Sequence, residues 1–277
     1  MNTAELAARW LKYQLGFKDT SGFVVWLRPY FNQFVEILYR RNGLLRNLNG
    51  QESIRLRPAF RNFKGDYEPE VCRYLGSVVT AGDVVLELGA NIGLLTILLA
   101  RRVAPGGHIY AFEPSPKSLQ ALSDHLSLNG VSEGQATIVP AAVSDTCGRA
   151  MFYFDGTAGQ STLSVKHRHV PAATSVEVET VTIDAFCSRR KIAPKFIKID
   201  IEGYELHALR GAELTLRRYR PTVLVEMHPM YWPDIGITAT DVAECVSQLG
   251  YEALPLRPSE DPLKTYGHAV LLPVTCP

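Results

Sequence analysis

The chain has 277 residues, 46% of them hydrophobic and 21% charged, enough apolar side chain for an ordinary globular core and too much for a disordered or disulfide-stapled mini-protein. Its 29 Lys and Arg against 28 Asp and Glu leave a formal charge of +1, which removes any whole-chain attraction toward nucleic acid or anionic lipid. The five cysteines are scattered with no Cys-x-x-Cys pair, which argues against a zinc site and for a reducing, cytoplasmic setting.

The first twelve residues carry Glu5, Arg9 and Lys12 where a secretory leader needs an apolar stretch, so no leader is expected. The longest apolar run, residues 92–100, stops at Arg101 and Arg102, far short of the ~20 residues that cross a bilayer, so no membrane span is expected either. Residues 1–42 read as helical, with Leu6, Trp10, Leu15 and Phe17 and then Val24, Phe31, Val35 and Leu38 at three- and four-residue spacing, interrupted at Gly22 and Pro29. Residues 43–60 change to short alternating runs, 44–48 and 53–57, joined by Asn49-Gly50, a pair that favours a tight hairpin turn. Residues 1–60 are thus expected to form a helical and β-hairpin extension, either roofing a substrate site or making a homodimer contact, ahead of a main domain over 61–277.

From residue 67 the pattern alternates: helix 67–79, strand 83–88, helix 92–103, strand 108–112, helix 117–128, strand 137–143. That rhythm predicts a parallel sheet wrapped by helices. Residues 149–182 turn β-rich, with runs at 151–154, 161–166 and 175–183 that read as an insertion of extra antiparallel strands. The rhythm resumes with strand 196–200, a helix over 203–218 that can be broken, strand 222–228, helix 240–249 and strands 252–256 and 268–272. No helix separates the last two strands, so they are expected to close the sheet as a C-terminal β-hairpin.

The chemistry concentrates at residues 84–93, an apolar strand running into a Gly-x-x-x-Gly turn, Gly89 to Gly93, that opens a helix. Gly89 lets a ligand lie against backbone, and Gly93 lets helix and strand pack closely where helix N-terminal amides favour an anion. Some twenty residues on, the next strand ends in Glu113, where a carboxylate accepts hydrogen bonds from ribose hydroxyls in folds of this kind; a plain surface cap before Pro114 is its other reading. The glycine spacing is not the Gly-x-Gly-x-x-Gly of dinucleotide enzymes, which favours a nucleoside ligand without phosphates, such as S-adenosylmethionine.

Four blocks then fall in one order: Leu86-Glu87-Leu88-Gly89-Ala90-Asn91-Ile92-Gly93, Ala111-Phe112-Glu113-Pro114, Ala142-Val143-Ser144-Asp145, and Lys198-Ile199-Asp200-Ile201-Glu202-Gly203-Tyr204-Glu205 followed by Leu209-Arg210-Gly211-Ala212. Together they resemble the FkbM family of S-adenosylmethionine-dependent O-methyltransferases, over about residues 67–229. The resemblance implies a Rossmann-like class I methyltransferase fold, with a seven-stranded, mostly parallel sheet, and methyl transfer to a hydroxyl of a sugar, glycan or natural-product small molecule. Carried over by position, it implies that Glu87, Gly89, Asn91 and Gly93 hold the methionine part, Glu113 the ribose, and Ala142 and Val143 the adenine, while Glu68 matches an upstream acidic position facing the cofactor.

Asp200 ends its strand at the C-terminal edge of the sheet, where ligands bind in open α/β folds, and Glu226 and His228 lie on or just beyond the neighbouring strand. Asp200 is expected beside the transferred methyl, with His228 and Glu226 orienting or deprotonating the acceptor hydroxyl. The structural reading of the same charges pairs Lys198 with Glu226 or Glu87 across adjacent strands. A hard cation held by Asp200 and neighbouring oxygens is an alternative to the general base, although no metal is assigned by default. Lys166-His167-Arg168-His169 reads as a solvated basic turn or an acidic-substrate patch, and Trp10, Trp26 and Trp232 as core filler or sugar-stacking rings. The rivals are a nucleic-acid methyltransferase, disfavoured because Asp200-Ile201-Glu202-Gly203 replaces a Pro-Pro-aromatic tetrapeptide, a nicotinamide oxidoreductase, and a silent cofactor-binding scaffold.

Overall fold

Strands β3 (Val84–Leu88), β4 (His108–Phe112), β10 (Phe196–Ile199) and β11 (Thr222–Met227) are short, nearly continuous apolar runs, the composition of strands covered on both faces. In the computed structural model, which describes residues 22–63, 65–154, 161–163 and 174–274, they form the centre of a seven-stranded sheet. With β5 (Ala136–Val139), β12 (Tyr251–Pro255) and β13 (Gly267–Pro273) the order is β12-β13-β11-β10-β3-β4-β5. Every neighbouring pair is parallel except those involving β13, which runs against both β11 and β12 and makes the C-terminal hairpin. This is the seven-stranded, mostly parallel sheet that the sequence rhythm predicts. The expectations for residues 1–21, Lys166–His169 and Cys276, Trp10 among them, lie outside the described residues.

Each face of the sheet carries its own core. On one, Leu86, Leu88, Ile197, Ile199, Val223 and Val225 pack under α5 (Ile183–Arg190), α6 (Glu205–Arg210), α7 (Glu213–Tyr219) and α8 (Ala239–Gln248). On the other, Val85, Ile109, Phe196 and Leu224 pack under α2 (Pro69–Val78), α3 (Leu94–Val103) and α4 (Pro116–Leu128). The hairpin of β1 (Leu44–Leu48) and β2 (Glu52–Leu56), turned by Asn49 and Gly50 at positive φ, inserts Leu48, Ile54 and Leu56 into this second core. Ahead of it, α1 (Gly22–Tyr39) runs straight through Pro29 rather than stopping there. The helix is largely exposed, so the carbonyl that loses its N–H partner at a proline can turn to water.

Three sequence readings are corrected. The expected strand 137–143 divides at Pro140, which cannot donate to a ladder: β5 stays in the main sheet, and β6 (Ala141–Val143) joins a second one. That second sheet, ordered β6-β9-β7-β8 with β7 (Gly148–Phe154), β8 (Ser161–Thr162) and β9 (Thr174–Val181), is antiparallel at β7–β9 and β7–β8 but parallel at β6–β9. The run read as a strand to residue 183 ends at Val181, because Thr182 accepts a hydrogen bond from Ala185 N and starts α5. Residues 203–218 do break, at Gly211, where any Cβ would overlap the carbonyl oxygen of Ser144.

Candidate active site

The chain runs β3, β4, β5 in one direction across the sheet, then returns to lay β10 and β11 on the other side of β3, so the order reverses between β3 and β10. Crevices outside the carboxyl ends of strands at such a reversal are where open α/β sheets bind ligands. Gly89 follows β3 at φ +87°, and a Cβ there would overlap the carbonyl oxygen of Asp200, which follows β10. The amides of Gly89 and Ala90 both donate to Phe112 O (3.0 and 2.9 Å), tying the loop to β4. Gly93, also at positive φ, is pressed against Leu122 of α4. Its lack of a side chain therefore serves packing and not the cavity.

Glu113 is buried, and its carboxylate accepts from Asn91 N and from Ser115 N, each at 2.8 Å. Burial pushes it up to about 7 against the pull of those two amides. One cavity runs along this edge, lined by Gly89, Asn91, Phe112, Glu113 and Pro114, by Ala141, Ala142 and Val143 of β6, by Asp200, Ile201, Glu202 and Tyr204 after β10, and by Phe152 and Leu163 of the second sheet. Six of the predicted residues, Gly89, Asn91, Glu113, Ala142, Val143 and Asp200, thus share it. Glu87 does not: it is fully buried behind the cavity, accepts from Thr96 Oγ1 at 2.6 Å and stands in register beside Lys198, with burial raising it to about 7.

Glu68, Glu226 and His228 are not among the lining residues; they form a charged cluster around Asp200, which is. Lys198, buried inside β10, donates to Asp200 Oδ2 at 2.8 Å, so its nearest partner is Asp200 and not Glu226 or Glu87. Burial acts to raise Asp200, but the Lys198 and His228 cations prevail and hold it below the ordinary carboxylate range. His228 directs Nδ1 to Glu205 Oε1 at 2.8 Å, and its Nε2 stands 3.5 Å from Glu202 Oε2. Burial disfavours its charged form, yet Glu205, Glu202 and Asp200 raise it to about 9. Glu202 itself is pushed up by burial to about 7.

Tyr266 donates to Glu226 Oε1, whose other oxygen lies 3.7 Å from His268 Nε2. The same nitrogen is 3.8 Å from Glu68 Oε2, and neither Glu68 Oε2 nor His268 Nε2 has a hydrogen-bond partner although both atoms are buried. Glu68 reaches this place because it adopts a left-handed conformation, φ 40°, just before α2, which therefore begins at Pro69 and not at residue 67. Two sets, Glu68/Glu226/His268 and Asp200/Glu226/His228, bring ligand atoms within 4.8 Å of one another, close enough to share a cation. Sequence reading missed Tyr266, His268, Phe152 and Leu163, which carry no motif: Phe152 and His268 are brought in by strand pairing, Leu163 and Tyr266 by standing next to β8 and β13.

Residues 87–253 match the family model described as the Methyltransferase FkbM domain. Hexuronic acid methyltransferase AglP of Haloferax volcanii is 26% identical over 206 residues, covering 73% of this chain and 77% of that protein. The 31-O-demethyl-FK506 methyltransferase FkbM of Streptomyces tacrolimicus is 30% identical over 166 residues, covering 50% of this chain and 62% of that one. Among solved structures, methyltransferase FkbM from Methylobacillus flagellatus KT overlays with a TM-score of 0.47 and 18% identity over 73% of this chain and 50% of its own. The chain therefore spans about half to three quarters of the length of these relatives.

Proposed function

The chain belongs to the FkbM methyltransferase family, and on that premise we propose that it moves a methyl group from S-adenosylmethionine to a hydroxyl of a sugar, glycan or natural-product small molecule. The observation that carries this reading is one cavity whose lining joins the apolar and backbone surface around Gly89, Glu113, Ala142 and Val143 to the carboxylates of Asp200 and Glu202, with Glu226 and His228 grouped beside Asp200. Glu113, held by two amides, still has lone pairs to accept ribose hydroxyls. Phe112, Ala142, Val143, Phe152 and Leu163 supply apolar walls for a purine, and the side-chain-free backbone of Gly89 with Asn91 leaves room for the amino-acid portion. Glu68 and Glu87 stay outside this pocket and act on it through Lys198, which both carboxylates face. The residues present fit the cofactor.

The cofactor supplies a methyl group already activated on a sulfonium, so the protein has to align the acceptor oxygen and receive its proton. Asp200, kept ionised by Lys198, lines the cavity and would offer negative charge to the sulfonium of a bound cofactor. His228 receives the proton at Nε2, and Glu226, braced by Tyr266, orients the acceptor. One relative's name specifies a sugar acid and the other's a 31-O-demethyl compound, and both acceptor classes fall within the proposal. No helix among the described residues is long and apolar enough to cross a membrane, and Cys72, Cys147, Cys187 and Cys245 are free thiols; a cytoplasmic site of action is part of the proposal.

The test measures S-adenosylhomocysteine release over a panel of hexoses, hexuronic acids and macrolides, with cofactor affinity by calorimetry for wild type, Asp200→Asn and His228→Ala. Both variants are expected to keep cofactor affinity within about three-fold and to lose roughly 100-fold to 10,000-fold in turnover. Wild-type turnover in both, or binding of a nicotinamide cofactor in place of S-adenosylhomocysteine, would discard the assignment.

A further inference from the structure

Glu205, the first residue of α6, directly follows the cavity-lining Tyr204 without lining the cavity itself, and it is wholly buried. An ionised carboxylate is costly in such a place unless its oxygens are filled. They are filled by three donors from separate parts of the chain: Gly203 N at 2.8 Å and His228 Nδ1 at 2.8 Å on Oε1, and Trp232 Nε1 at 2.9 Å on Oε2. Trp232, itself fully buried, cannot move to release its end. The His228 ring lies nearly parallel to that of Tyr231 (centroids 5.8 Å apart, 14°) and tilted against Tyr266 at 5.5 Å, so both its direction and its plane are set. The charged groups facing it are Glu205 at Nδ1 and Glu202, Asp200 and Glu226 around the rest of the ring.

We propose that Glu205, anchored by Trp232, is the positioning residue for methyl transfer: by accepting from Nδ1 of His228 it keeps the ring proton on that nitrogen and turns a bare Nε2 toward the cavity end where the acceptor hydroxyl arrives. A neutral imidazole has one donor nitrogen and one acceptor nitrogen, and the bond made by the first decides which the second is. The carboxylate therefore selects the tautomer in which the cavity-side nitrogen can take a proton, as the orienting carboxylate does in nucleophile triads and beside metal-bound histidines. This rests on His228 being the proton acceptor. A carboxylate present only to satisfy Trp232 and Gly203 would leave the ring's protonation pattern to chance, and an amide in its place, which can accept at one end only, would cost stability and leave turnover unchanged.

The experiment combines Glu205→Gln, Trp232→Phe and His228→Ala with 15N-edited NMR of the histidine rings in the intact protein. In wild type at a pH where the ring is neutral, His228 is expected to carry its proton on Nδ1. Glu205→Gln can turn its NH2 toward Nδ1 and force the proton to Nε2, so turnover should fall by about 100-fold or more with cofactor affinity within about three-fold of wild type. Trp232→Phe, which keeps the carboxylate, should fall much less. If His228→Ala is inactive while Glu205→Gln turns over within three-fold of wild type, the positioning role is wrong and the base stands. If His228→Ala turns over normally, the base reading fails first. Should Glu205→Gln not fold, the wild-type spectrum still decides: a ring proton on Nε2 with a bare Nδ1 overturns the proposal.

Discussion

Replacing Lys198 by Met keeps most of the buried volume and removes the one cation that lies inside β10, leaving Asp200 without its 2.8 Å partner and Glu87 without its counter-charge, while Glu68 and Glu226 keep only His268. Breaking a buried pair from one side costs about 3–5 kcal/mol, and because Asp200 is one-fifth exposed the lower end applies. The pH dependence distinguishes this cause from simple packing loss. In wild type the folded Asp200 titrates below its unfolded value, so its contribution is present above the unfolded pKa of about 3.9 and is lost as pH falls through the lower, folded one. In Lys198→Met the burial that Lys198 opposed now dominates and the folded pKa rises above 3.9. The penalty is then full at pH 8 and eases as pH falls through the raised value, by up to about 1.4 kcal/mol per unit for each carboxylate that takes a proton. Urea unfolding at pH 8 and pH 5, with the slope checked for constancy, measures it. A loss equal at both pH values, or below about 1 kcal/mol at pH 8, would refute the argument.

Because only a neutral His228 accepts a proton and its folded pKa is raised to about 9, kcat/KM should climb by about ten-fold per unit toward pH 9 and then flatten, and a profile flat from pH 6 to 9 would remove His228 as the base. Glu113 titrates near 7 in the ligand-free protein, so cofactor binding that needs its carboxylate should weaken below pH 7 by up to about ten-fold per unit, and calorimetry on Glu113→Gln should show this slope gone. Gly89→Ala combines a left-handed φ with a clash against Asp200 O; where saturation at 100 times Kd stabilises wild type by about 2.7 kcal/mol, the variant should show no cofactor-induced thermal shift. Turnover is expected to survive a chelator; loss restored by magnesium would move the proton's removal to a cation held by Asp200 with Glu226 and His228.

Most of the main sheet was legible because its strands are apolar runs ending at Gly89, Glu113 and Asp200, and the helices between them carry a different period. The C-terminal hairpin followed from the missing crossover helix. What stayed hidden has physical reasons. The split at Pro140 leaves two strands abutting with no loop between them, so the sequence alternates as though one strand continued. A single residue, Thr182, separates the end of β9 from the start of α5 and is the boundary mark between them. In the site, the cavity face of Gly89, Asn91, Glu113, Ala142, Val143 and Asp200 could be placed because each ends or follows a strand. Glu205 could not be assigned a role, since its three donors come from a loop, a strand end and a turn that sequence spacing does not relate. Glu87 and Gly93 carry the family pattern yet face protein, one buttressing Lys198's strand and the other α4.

The approach of Gly89 to the Asp200 carbonyl joins two stretches far apart in the chain, one made before the second sheet and one after it. Loop-closure entropy makes such a junction slow to form, and it exists only once β10 has been laid against β3. A ligand resting on both loops therefore has no complete site on any folding intermediate that lacks this pairing. It would leave the folding rate nearly unchanged and act by slowing unfolding, so a cofactor-saturated population would persist by kinetic resistance rather than by faster recovery.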